Sequence, residues 1–353
     1  MYPIDSDIAI PDIKICLVAI LTVYWLSVIV KERILSPLAG IPGPFLGTIS
    51  STPRLIDGLL GRGCYTVHEL FKQYGPVVRI EPNLVVFADP KYVRQVYGHG
   101  TPFHKTEVGP HPPQFTYKRS DSLSMQFYKA FSFDPHDASA MSTMDNKVRA
   151  KRRAFYARPM ARANIVSQQH LVQERCEMLV QALTKQSKLG DVDMAKYWGF
   201  YTHDVVVRVI TGHPAGTIEA GEADDIMKVT RTRAKSPEDR EDARVMHEML
   251  KSAEVMGLSD AAVVNEMFSM IVAGSDTTKW ALSYVVYEVF RDAELKRRVQ
   301  AELDHAMPDG DVCISYETVN TLPNLLAICK EVLRYWAPIP GTIFPSPTSF
   351  LAK

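Results

Sequence analysis

Three groups of residues have types and spacings that could do chemistry. The first is Ala273-Gly274-Ser275-Asp276-Thr277-Thr278, set between the apolar flanks NEMFSMIV and KWALSYVVYEVF. Both flanks favour a helix, yet a glycine in mid-helix costs about 0.5–1 kcal/mol against alanine, and paired threonines restrict χ1. A local conflict of this kind often marks a functional site. A kinked core helix, or a helix crossing that needs small residues, would place the same residues there. The second group is Glu331 and Arg334, three apart and so on one helix face. Alone, such a pair reads as a solvated surface ion pair. The third is a basic run, Lys147, Arg149, Lys151, Arg152, Arg153, Arg158 and Arg162, which suits a solvated face or an acidic ligand. Other signals fail on inspection. His68-Glu69-Leu-Phe-Lys72 and His247-Glu248-Met-Leu-Lys251 lack the second histidine of a zinc helix, and Gly58-Leu-Leu-Gly61-Arg-Gly63 lacks the order and context of a dinucleotide loop.

The elements that must position these groups are mostly helical. Residues 145–160, 163–187 and 193–211 read as three helices. Ser259 is placed to cap a long helix through Arg291, Asp292 the next to about Met307, and Thr321 the helix that carries Glu331 and Arg334, with Pro323 in its first turn. Val77–Ile80 and Leu84–Phe87, separated by Glu81-Pro82-Asn83, predict a hairpin, after which Asp89 caps a short helix beginning at Pro90. Residues 98–124 read as a long loop and 212–242 as polar.

Composition narrows the function classes. At 353 residues the chain can bury a large core. Forty basic and forty acidic residues balance, so no global field favours nucleic acid, and none is expected as a partner. The five cysteines, Cys16, Cys64, Cys176, Cys313 and Cys329, are scattered, which argues against a disulfide framework or a zinc site. Ile15 to Val30 carries no charge. As a helix it spans about 24 Å, and snorkelling by Lys14 and Lys31 extends it toward the ~30 Å of a hydrocarbon core. Asp5, Asp7 and Asp12 precede it and Lys31 and Arg33 follow, an asymmetry that puts the C-terminal side in the cytosol. A buried core helix is the competing reading. Pro37-Leu-Ala-Gly-Ile-Pro-Gly-Pro44 is too rich in Pro and Gly for a helix and reads as a stiff linker.

Taken together, Ala273–Thr278 and the segment Leu322-Pro-Asn-Leu-Leu-Ala-Ile-Cys-Lys-Glu331-Val-Leu-Arg334-Tyr-Trp-Ala-Pro338-Ile-Pro340 resemble the distal half and signature helix of the cytochrome P-450s, haem-thiolate monooxygenases. The spacing of 57 residues between Gly274 and Glu331 fits, and residues 37–44 and 74–97 resemble the hinge, first hairpin and following helix of fungal members. The resemblance implies a mainly α fold with a small β region, incomplete at its C-terminal haem-cysteine loop. It divides the chain into a lumenal 1–14, a transmembrane anchor 15–30, a hinge 31–44, a partial catalytic domain 45–345 and an aberrant tail 346–353. It implies haem as cofactor, a lipophilic small-molecule substrate of secondary metabolism, an NADPH-cytochrome reductase as electron donor, and a single-pass anchor in the endoplasmic reticulum membrane with the body cytosolic. Residue by residue, Ala273 and Gly274 would leave room beside the haem, with Gly274 letting the backbone approach. Thr277 would divert a backbone carbonyl, open the helix and pass a proton or hold a water, and Asp276 would link that relay to solvent. Arg149 and Arg153, four apart, would face the haem propionates. Glu331 and Arg334 would be structural.

The sequence departs from the family in three places. Arginine at 149 stands where relatives carry histidine. Only sixty residues, 213–272, occupy a region where relatives fit two substrate-covering helices and another besides, so a shortened lid is expected. Nineteen residues follow Arg334 and none is cysteine. Cys329 lies in the signature helix, Cys313 on the connection before it, and Gly61-Arg-Gly-Cys64 far upstream, so none fits the thiolate loop and no metal ligand is assigned. Thiolate donation drives O–O cleavage in these enzymes, so the chain as written is expected to be inactive. Two readings follow: a monooxygenase whose sequence is incomplete or mis-spliced, or a non-catalytic, membrane-anchored relative that binds a ligand or a partner.

Overall fold

A computed structural model describes residues 13–98, 103–105, 139–143, 145–222, 243–308, 314–339 and 345–347. The expectations for residues 1–12, for most of the 98–124 loop, for Cys313 and for the tail after 347 lie outside them. The chain divides into two units. One is formed by residues 1–106, 110–119 and 341–353, the other by 107–109 and 120–340.

In the first unit, α1 (Ile13–Val30) continues as a π-helical turn, Lys31–Leu35. Helices α2 (Phe45–Ile49), α3 (Thr52–Leu59) and α4 (Gly63–Tyr74) lead to the hairpin β1 (Val77–Glu81) and β2 (Leu84–Phe87). The strands pair antiparallel, Val77 opposite Phe87 and Val78 opposite Val86, with an irregularity between Arg79 and Glu81. Successive side chains of a strand point to opposite faces. Val78 and Ile80 therefore pack with Val86 against Val67, Leu70, Phe71 and Tyr74, while Arg79 is buried on the other side. Asp89 accepts the Lys91 amide and caps a 3₁₀ turn at Pro90–Tyr92, which runs into α5 (Val93–Tyr97). A three-residue strand β3 (Phe103–Lys105) lies inside the expected loop and pairs with β4 (Pro345–Pro347).

The second unit is helical: α6 (Asn146–Ala157), α7 (Arg162–Val166), α8 (Gln169–Ser187), α9 (Met194–Thr211), α10 (Thr217–Ala220), α11 (Arg244–Met256), α12 (Asp260–Arg291), α13 (Ala293–Ala306), α14 (Tyr316–Val319) and α15 (Pro323–Tyr335). The helix expected over 163–187 is two helices, broken at Ser167-Gln168. Caps read from the sequence hold at Ser259, which accepts the Ala262 amide, and at Asp292, which accepts the Glu294 and Leu295 amides. The core joins Phe155 of α6, Val207 and Ile210 of α9, Val245, Met246 and Met249 of α11, and Val263, Met267 and Ile271 of α12. A second cluster, Val299, Ile328 and Val332, binds α13 and α15 to the C-terminal half of α12 through Tyr284, Val285 and Val289. Within the region 213–272, α10, α11 and the first turns of α12 are described, and residues 223–242 are not.

Buried charge fixes the short α10. Asp204, fully buried on α9, accepts the Thr217 amide at 3.0 Å, the Thr217 hydroxyl at 2.7 Å and the Ile218 amide at 3.2 Å. Arg175 of α8, also buried, lies 3.9 Å from Asp204 and 2.9 Å from Glu219. Removing one partner of a buried ionic network strands the other, so Asp204→Ala should cost about 3–5 kcal/mol in urea unfolding. Asp204→Asn keeps an acceptor for the Thr217 hydroxyl and should cost less.

Candidate functional site

The candidate residues fall on three helices, α6, α12 and α15. Helix α12 is α-helical throughout its 32 residues. Thr277 does take a carbonyl, its hydroxyl donating to Ala273 O at 2.7 Å. The helix nevertheless stays closed, so the expected local opening at Thr277 is replaced by a back-bond that leaves the i→i−4 ladder in place. Ala273 and Asp276 are exposed, Thr277 is half-buried beside them, and Trp280 is exposed one turn on. These four share a face, because positions three, four and seven apart align along a helix. Gly274 lies about 100° round the helix and points elsewhere. A Cβ there would sit 3.1 Å from Val206 Cγ2 and 3.3 Å from Cγ1. Farther along the same contact, a Cβ on Gly199 would meet the Lys279 side chain at 3.4 Å. As the numbers rise on α9 they fall on α12, so the helices run antiparallel, and the smallness of residue 274 serves their crossing. The small residue on the open face is Ala273.

On α6, Asp145 caps the helix by accepting the Lys147 and Val148 amides. Arg149 is half-buried and Arg153 exposed. Among the described residues neither forms an ion pair. Between them Arg152 is buried, with Nε 4.0 Å from Glu266 Oε1 on α12. Glu266 in turn accepts the Ala140 amide at 2.7 Å. This buried carboxylate and guanidinium, absent from the sequence reading, set α6 against α12. Glu266 lies seven residues before Ala273, about 10 Å along the axis. Burial pushes the Tyr156 phenol above its ordinary value, the Glu266 charge adds to the rise and Arg153 opposes it.

Glu331 and Arg334 are placed on an exposed face of α15, paired through Nε–Oε2 at 2.7 Å and Nη2–Oε1 at 2.5 Å, with side chains 63% and 67% exposed. The Arg334 hydrogen bond and charge hold the Glu331 carboxyl below its usual range. The end of α15 is secured by Trp336, which stacks on Tyr284 at 4.3 Å and donates Nε1–H to Glu288 Oε1 at 2.8 Å.

A family model for Cytochrome P450 matches residues 227–345, which include α11, α12 and α15. A cytochrome P450 monooxygenase (cypX) of Dothistroma septosporum is 23% identical over 93% of this chain and 70% of its own length. A cytochrome P450 monooxygenase (astJ) of Aspergillus oryzae is 24% identical over 87% and 67%. Tryprostatin B 6-hydroxylase of Aspergillus fumigatus is 24% identical over 97% and 65%. The chain is similar to the cytochrome P450s, through the family model in its C-terminal third and at low identity along most of its length. The mainly helical fold with its two small antiparallel sheets is consistent with the P450 fold, and haem is that family's cofactor.

The residues can be tested for their fit to a P450 haem, a planar group edged by two carboxylates. The α12 face at Ala273 and Thr277 is open, and α6 presents two guanidiniums without ion-pair partners among the described residues. Both features match such a group. A thiolate is a separate requirement. Cys329 is half-buried on α15, and burial raises its thiol above the ordinary value, which keeps it neutral and inert.

The cap of α15 corrects one expectation. Thr321 does not cap it: the N-cap is Leu322, with no side-chain bond. Glu302 of α13 does so instead, accepting the Asn324 and Leu325 amides at 2.9 and 3.0 Å and the Asn324 side chain at 3.1 Å. Partial desolvation raises the Glu302 carboxyl, but the three hydrogen bonds outweigh it and the net shift is downward. A carboxyl lowered on folding stabilises above its unfolded pKa of about 4.3 and loses that contribution as pH falls through the folded value. Hydrogen exchange at the Asn324 and Leu325 amides should therefore speed up relative to mid-helix amides as pH falls below the ordinary carboxylate range. Glu302→Gln should show weaker protection with no such step.

Proposed function

We propose that the chain is a P450-type monooxygenase of secondary metabolism, acting on a lipophilic small molecule and held to the endoplasmic reticulum membrane by α1, with its body in the cytosol. The observation that carries this reading is the single open face of α12 that joins Ala273, Asp276 and Thr277. It is supported by the two cations of α6 and by the 23-residue helix Ile13–Leu35, long and apolar enough to cross a membrane and with none of its apolar window buried. Haem, when bound, supplies the activation of dioxygen with electrons from NADPH through a membrane-bound flavoprotein reductase. The chain's own residues do the rest. Arg149 and Arg153 pair with the two carboxylates in charge-assisted hydrogen bonds. Ala273 keeps the approach to the open face clear. The Thr277 hydroxyl spends its proton on Ala273 O, which leaves its oxygen lone pairs to hold a water. Asp276, exposed next to it, exchanges protons with solvent and passes them to that water. Glu331 and Arg334 are structural and take no part in the chemistry.

Haem titration of the purified full chain, followed by its Soret absorbance, tests the assignment. Each charge-assisted hydrogen bond contributes about 1.5–3 kcal/mol, so Arg149→Gln with Arg153→Gln should weaken haem binding by at least about tenfold. Unchanged affinity would remove the two arginines from the site. Cys329→Ser should leave the spectrum of the reduced, carbon monoxide-treated protein unaltered; a changed Soret band would make Cys329 the axial ligand. A purely ligand- or partner-binding role would use the same surfaces, and substrate-dependent NADPH consumption in the presence of a reductase separates it from turnover.

A further inference from the structure

The Pro/Gly-rich segment after α1 reads as a linker in the sequence, yet the structure ties it down at several points. Arg79 of β1 is 1% exposed. Its Nη1 donates to the backbone carbonyl of Glu32 at 2.6 Å and its Nη2 to Glu32 Oε2 at 2.7 Å. Nε and Nη2 also donate to Pro82 O, at 3.2 and 2.6 Å, so the guanidinium closes the hairpin turn and the juxtamembrane turn together. The neighbouring residue holds a different element. Arg33 Nη1 donates to the Thr48 hydroxyl at 3.2 Å, and its guanidinium lies 5.5 Å from the centre of the Phe45 ring on α2. Between these anchor points the backbone itself joins the sheet edge, with the Arg79 amide donating to Pro42 O at 2.8 Å. Gly43 lies so close that a Cβ would collide with Arg79 O at 2.0 Å, which only glycine avoids.

A flexible tether would need none of these contacts. A guanidinium taken out of water is costly unless it is paired and its donors are satisfied. Here a carboxylate and two carbonyls satisfy it, and both elements that supply them lie beside the end of α1. We propose that Glu32 and Arg33 lock α1 rigidly to the β1–β2 body through Arg79 and Thr48, so that this unit meets a phospholipid bilayer at one fixed attitude rather than swinging on a hinge. The proposal rests on the reading of α1 as a membrane anchor. It assigns Glu32, Arg33, Arg79 and Gly43 to orientation, a role distinct from haem chemistry.

The test is a distance distribution between nitroxides in the full chain reconstituted into phosphatidylcholine nanodiscs. Labels go on Leu21→Cys of α1 and Tyr65→Cys of α4, both exposed positions, with the five native cysteines replaced by serine. The lock predicts one narrow distribution for the otherwise unaltered chain. Glu32→Ala should broaden it. Glu32→Gln keeps a neutral acceptor and the backbone carbonyl, so it should fold as the parent does and broaden it less. A broad distribution in the parent protein inside nanodiscs would overturn the lock while leaving the anchor intact. A distribution that stays narrow in both Glu32 variants would also overturn the lock. Failure of the parent protein to enter nanodiscs at all would overturn the anchor reading, and the lock with it.

Discussion

The close antiparallel contact of α9 with α12 is the constraint on which the second unit depends. It is tight at 274, where a Cβ would come within 3.1 Å of Val206 Cγ2 and would require Val206 to give by a few tenths of an ångström. The same contact brings Val207 and Ile210 against Val263, Met267 and Ile271, and so seals the main core. It also decides the rotation of α12. With Gly274 turned toward α9, Ala273, Asp276 and Trp280 are left exposed and Thr277 half-buried. The glycine that the motif displays most prominently therefore acts indirectly: it sets the angle at which its neighbours are presented.

Buried charge complements that packing. Glu266 with Arg152, and Asp204 with Arg175, are held where water is scarce, and each carboxylate also accepts backbone amides. Such groups contribute little net stability compared with apolar packing of the same volume, but they are costly to misplace. Glu266 ties the segment at Ala140 and the basic helix α6 to α12. Asp204 ties the start of α10 to α9. Each fixes the position of an element whose own apolar surface is too small to fix it. The exposed pair Glu331–Arg334 contrasts with both, since solvent screens it and its partners are on one helix.

Local signals were legible in the sequence. Ser259, Asp292 and Asp89 stand at the starts of their helices, because a cap acts within three residues of itself. The hairpin followed from two β-branched runs and a turn. What escaped was long-range. Nothing near Thr321 shows that its cap would be displaced by Glu302, a residue of another helix. The basic run showed seven similar cations, and only the fold picks out Arg152 as the buried one. Periodicity places Ala273 and Gly274 on different faces of α12, but it cannot say which face meets α9. The Pro/Gly segment was legible as non-helical and illegible as docked, since its partner Arg79 lies on a strand whose alternation reads as ordinary.

The proposed function puts Ala273 on the haem face of α12 and leaves Gly274 to the helix crossing. Haem titration and thermal unfolding of Ala273→Leu and Gly274→Ala test it directly. Ala273→Leu should unfold as the parent does but bind haem about tenfold or more weakly, the effect of crowding a fitted surface. Gly274→Ala should act on the unfolding temperature alone, through the Val206 contact, while its folded fraction binds haem with unchanged affinity. Loss of haem binding in folded Gly274→Ala, with normal binding in Ala273→Leu, would contradict it.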